Sequence, residues 1–105
     1  MNYEVIFTDT AKQDLKDIAF YIARESKDKE IAKNFLIELR NKTKQLAIFP
    51  NAGTFPKDRI LKSFGYRYIV YKEYLLFYCV DENAKKVFVM SIFNEKKDYM
   101  RVIKG

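Results

Sequence analysis

The chain contains no histidine, a single cysteine, three glycines and two prolines in 105 residues. Each scarcity excludes something. Without histidine there is no side chain that titrates near neutrality by default, so any proton transfer falls to lysine, tyrosine or a carboxylate. With Cys79 alone no internal disulfide can form, which suits a reducing compartment, and its apolar surroundings read as those of a buried structural thiol. So little glycine and proline argues against disorder. No run of about 18 apolar residues occurs, which excludes a membrane-spanning helix. The opening "MNYEVIFTDT" lacks the basic and long apolar regions of a signal peptide. The expected location is therefore the cytoplasm, with no membrane partner.

What is present is ample for a core. Apolar residues make up 49% and aromatics 16% of the sequence, and this length is that of one domain, residues 1–105. The net charge is +6, and it is unevenly placed: residues 1–56 carry nine Lys/Arg against eight Asp/Glu, residues 57–105 eleven against six. A one-sided basic field favours a polyanion such as nucleic acid, or an acidic protein; a solvated surface is the plainer alternative.

Periodicity gives the elements. "YEVIF" reads as a short strand. Thr8, Asp9 and Thr10 are helix N-cap candidates, and Ala11, Leu15, Ile18 and Ile22 follow on one helical face, with Lys12, Asp14, Lys16 and Asp17 on the other. "ESKDKE" is a polar turn. A second helix is expected from about Glu30 to Phe49, with Ala32, Phe35, Leu39, Thr43 and Leu46 as its inner stripe and Pro50 as its stop. Such stripes are packing surfaces and say nothing of activity. After the turn-rich "PNAGTFP", the period changes to that of strands: a short one in "RILKSF", then "YRYIVYK", "YLLFYCV" and "VFVMSIF", the middle pair joined as a hairpin across Lys72 and Glu73. The fold class is α+β: an N-terminal strand, an antiparallel helical hairpin, an antiparallel meander of three to four strands, and a short basic C-terminal tail or helix.

One residue stands out. Strand alternation sets Arg67 on the face of Ile69 and Tyr71, away from Tyr66, Tyr68 and Val70. An arginine there reaches the sheet rim, meets an internal carboxylate, or faces an anion. Lys96, Lys97, Tyr99 and Arg101 follow the last strand and bring a phenol and several cations to the same sheet.

The order "AKQDLKDIAFYI", "AKNFLIELRNKTKQLAIFPNAG", "GYRYIVYKEYLLFYCVDENAKKVFVMSIFNEKKDY" resembles the RelE/ParE superfamily of bacterial type II toxins across nearly the whole chain. The resemblance implies a growth-inhibiting toxin with a cognate acidic antitoxin, and no cofactor or metal. RelE-like members cleave mRNA in the ribosomal A site; ParE-like members poison DNA gyrase and are not nucleases. Both targets stay open, with ribosome-dependent mRNA cleavage as the leading expectation. On that reading Arg67, Lys96, Lys97 and Tyr99 are the catalytic candidates, and Arg59, Lys62, Arg101 and Lys104 the RNA-binding ones. The chain departs from the pattern at Asn94-Glu95-Lys96-Lys97, where many relatives carry a histidine followed by Gly-Arg-Arg. Lysine keeps the charge but lacks the planar fork that grips phosphate.

Overall fold

The structure is a computed structural model that describes residues 2–96. Its elements are β1 (Glu4–Phe7), α1 (Asp9–Ser26), α2 (Lys29–Lys44), a 3₁₀ turn (Gln45–Ala47), α3 (Arg59–Ser63), β2 (Arg67–Tyr71), β3 (Tyr74–Asp81) and β4 (Lys86–Asn94). The α+β order expected from the sequence is present. Two details differ. "RILKSF" forms α3 and not a strand, because the Asp58 carboxylate caps it by accepting from the Leu61 N–H. The second long helix ends at Lys44 and tightens into the 3₁₀ turn before Pro50.

Thr8 starts α1: its hydroxyl accepts from the Ala11 N–H and donates to the carbonyls of Val89 and Met90. Ala11, Leu15 and Ile18 of α1 and Phe35 and Leu39 of α2 meet Tyr74, Leu76, Val89 and Ile92 of the sheet in one buried cluster. The helices thus cover a single face of the sheet, where removal of apolar area from water supplies the main driving force.

The sheet order is β1-β4-β3-β2. β2, β3 and β4 form the antiparallel meander, while β1 runs parallel to β4. β1 stops at Phe7, opposite Val89, so the outer edge of β4 beyond that point needs another partner. Asp14 provides it. Its carboxylate accepts from the buried Ile92 N–H at 2.9 Å. Sequence periodicity put Asp14 on the solvent face, yet its side chain is buried; the unpaired strand edge explains the inversion.

Candidate functional site

Arg67 begins β2 directly opposite Tyr78, so both lie on the helix-covered face, at the end of the sheet where residues 50–55 return. The loop is fastened from two sides. Tyr78, fully buried, donates its hydroxyl to the Pro50 carbonyl at 2.7 Å and accepts from the Gly53 N–H at 2.8 Å. Arg67 donates from one terminal nitrogen to the carbonyls of Gly53 at 3.0 Å and Asn51 at 3.3 Å. Its guanidinium also lies over the Phe55 ring, 4.0 Å from the centroid. Thr54 pairs with Tyr68 on the free edge of β2. Burial pushes the Tyr78 phenol up, while its bond to Gly53 and the Arg67 charge pull the other way.

Gly53 is where the chain permits this closeness. A Cβ there would meet the Tyr78 hydroxyl at 2.5 Å and the Tyr68 carbonyl at 2.8 Å. Only a residue without a side chain fits between the tyrosine and the strand. Neither Phe55 nor Gly53 nor Tyr78 was singled out from the sequence. The one signal was the glycine in "PNAGTF".

Of the remaining candidates, Lys62 joins this neighbourhood, its ammonium 5.5 Å from the Phe55 centroid. Arg59 is one helical turn earlier on α3 and exposed. Lys96 does not join them. Asn94 pairs with Tyr74, and the Glu95 N–H reaches the Glu73 carbonyl at the β2–β3 turn. The Arg67–Tyr78 row lies four residues from there along the strands, about 13 Å at 3.3 Å per residue. Arg67 and Lys96 thus occupy opposite ends of the sheet. Lys97, Tyr99, Arg101 and Lys104, with the basic tail, lie outside the described residues.

The opposite face of β2 and β3 is aromatic. Tyr68 stacks on Phe77 with centroids 5.4 Å apart, Tyr66 meets Phe77 edge-on, and Phe77 lies 5.3 Å from Phe93. Cys79, on β3, has its thiol pushed up to about 11 by burial. The sequence reading expected it buried; it is half-buried. Among the described residues, no group of three His, Cys, Asp or Glu side chains could hold a metal ion. No helix there is long and apolar enough to cross a membrane.

A family model for the ParE toxin of type II toxin–antitoxin systems, parDE, matches residues 5–99. The chain belongs to the ParE toxin family. Among solved structures, this ParE-family toxin is similar to a chain of the chromosomal ParDE system from P. aeruginosa. The TM-score is 0.73 at 17% identity, over 88% of this chain and 95% of that one. It is also similar to a chain of the RelBE2 toxin–antitoxin complex from Mycobacterium tuberculosis. There the TM-score is 0.61 at 18% identity, over 90% and 99% of the two chains. At these identities the likeness is one of fold. None of the curated proteins compared matches the sequence. The toxin therefore has the fold shared by both branches of the superfamily, with its strand arginine bonded to its own loop.

Proposed function

We infer that this toxin acts by binding DNA gyrase in the cytoplasm as a non-catalytic inhibitor, and that a cognate acidic antitoxin neutralises it. The observation that carries the reading is the engagement of Arg67. A nuclease would direct that guanidinium at the scissile phosphate, as a bidentate clamp on developing charge. Here two of its donor directions serve the carbonyls of Asn51 and Gly53, and its plane rests on Phe55. The family model that matches is that of the ParE branch.

Among the described residues, Tyr66, Tyr71, Tyr78 and Cys79 are clearly displaced, all upward and chiefly through burial, as packed side chains are. The fastened loop then serves as a display: Phe55 is exposed, with the Arg67 guanidinium 4.0 Å and the Lys62 ammonium 5.5 Å from its ring centroid, and offers an aromatic surface beside positive charge.

The ribosomal reading retains one supporting feature, since Arg67 is only half-buried and Lys62 and Arg59 share its side of the molecule. Induction in cells separates the two. Gyrase inhibition breaks the chromosome while transcripts stay intact. Cuts mapped within translated messages, with an unbroken chromosome, would replace gyrase by the ribosome.

A further inference from the structure

α3 forms a ridge beside the Arg67 loop. The Asp58 carboxylate caps its start, and the Leu61 carbonyl accepts from the Tyr66 N–H at 3.1 Å where β2 begins. At about 100° per residue, Arg59 and Lys62 share one flank and Ile60 and Phe64 the other, with half-buried Leu61 turned inward between them. Ile60 and Phe64 are exposed by 65% and 70%. Phe55, also exposed, lies against the cationic flank, its centroid 5.5 Å from the Lys62 ammonium. Single apolar side chains are scattered over most protein surfaces. Here two large ones occupy one turn of one short helix, and a third rests beside it. The charge is as one-sided. Residues 56–67 carry four cations and one carboxylate, and that carboxylate, Asp58, is engaged in the cap.

We propose that the α3 ridge is the surface with which the toxin grips its protein target, at a place on that protein where an apolar pocket is rimmed by carboxylates. Ile60 and Phe64 enter the pocket, and Arg59 and Lys62 meet the rim. The proposal rests on the gyrase reading only for the name of the partner; it adds which face of the toxin makes contact and with what chemistry. Protein interfaces draw their affinity from a few large side chains seated centrally within a polar rim. A nucleic-acid strand fits worse: an isoleucine has no face on which a base stacks, and a phosphate backbone offers it no pocket. A second copy of this chain also fits worse, because a two-fold contact sets Arg59 and Lys62 against their own copies. The ridge is already held by its cap and by β2, so little ordering opposes association.

The test is biolayer interferometry of the full chain against purified gyrase subunits, nuclease-treated and without added DNA. Ile60→Gln/Phe64→Gln replaces two mostly exposed side chains, so its thermal midpoint should stay within about 4 °C of wild type. It should bind about thirtyfold more weakly, chiefly through faster dissociation. Arg59→Glu/Lys62→Glu, at two further exposed positions, should slow association and remove most of its salt dependence. Wild-type affinity in the glutamine variant overturns the proposal. So does binding that requires DNA and is lost with the cations but kept without Ile60 and Phe64, the signature of a nucleic-acid surface. Growth arrest on induction keeps the ridge separate from the identity of the target. If the wild-type toxin binds no gyrase subunit, the gyrase reading falls. The ridge then stands when the folded glutamine variant no longer arrests growth, and falls when that variant arrests growth as wild type does.

Discussion

Replacing Arg67 with alanine separates a residue that holds the loop from one that touches a target. The side chain makes two hydrogen bonds to backbone carbonyls, at 3.0 and 3.3 Å, and one contact with an aromatic face. Hydrogen bonds from a charged donor contribute about 1.5–3 kcal/mol when buried. Half-exposure places this pair near the lower end, and the cation–π contact adds about 0.5–1 kcal/mol. Part of the loss is recovered when water reaches the carbonyl of the exposed Asn51. The carbonyl of Gly53, a buried residue, is the costlier one to leave bare. A total near 2 kcal/mol lowers the thermal midpoint by roughly 10 °C in a domain of this size. Arg67→Lys keeps the charge but not the planar group that lies over Phe55, and should recover only part of it. The assay is thermal and urea unfolding of both variants, with hydrogen exchange at Gly53 and Thr54 as the local readout. Exchange there should accelerate well before the core opens. An Arg67→Ala protein that unfolds within about 2 °C of wild type, well below the shift that 1 kcal/mol would give, and has lost all toxicity would refute the reasoning.

Gly53→Ala should cost about 2–4 kcal/mol, because the added methyl lands on the buried Tyr78 hydroxyl and the β2 backbone. Combining it with Tyr78→Phe should cost less than the sum of the two single changes, measurable as a coupling in urea titrations. Asp14→Ala leaves the Ile92 N–H without its acceptor inside the fold and should destabilise by about 1–3 kcal/mol; Asp14→Asn, which keeps an oxygen there, should lose less. Alkylation by iodoacetamide at pH 9 reports on Cys79. Its folded pKa of about 11 leaves little thiolate, so native protein should react far more slowly than urea-unfolded protein. Since that pKa is raised, the thiol's contribution to stability is complete below its ordinary value near 9.0 and fades as pH climbs toward 11. Equal alkylation rates in the two states would contradict the burial.

Much of the frame is legible in the residues. The four-three-four spacing of Ala11, Leu15, Ile18 and Ile22 and the stripe through Phe35 and Leu39 identify the helices, because a helix packed on one side must repeat its apolar face near every 3.6 residues. The aromatic and β-branched runs after residue 66 identify the meander in the same way. What local pattern cannot carry is non-local pairing. Nothing in "YEVIF" says that it lies parallel to "VFVMSIF", and without that pairing there is no reason for Asp14 to turn inward. α3 is too short for a period to register, and only its Asp58 cap distinguishes it from a strand. The site divides similarly. Alternation gave the face of Arg67, shared with Ile69 and Tyr71. That a loop twelve to seventeen residues upstream would arrive on that face, admitted by Gly53, is a property of the assembled sheet.

The most direct test of the account adds the purified toxin to DNA gyrase and plasmid DNA, and in parallel to ribosomes translating a defined message. Accumulation of gyrase-linked double-strand breaks, or loss of supercoiling, with the message uncut is the result expected. Cleavage of the message in the ribosomal A site, with gyrase fully active at the same toxin concentration, would contradict it.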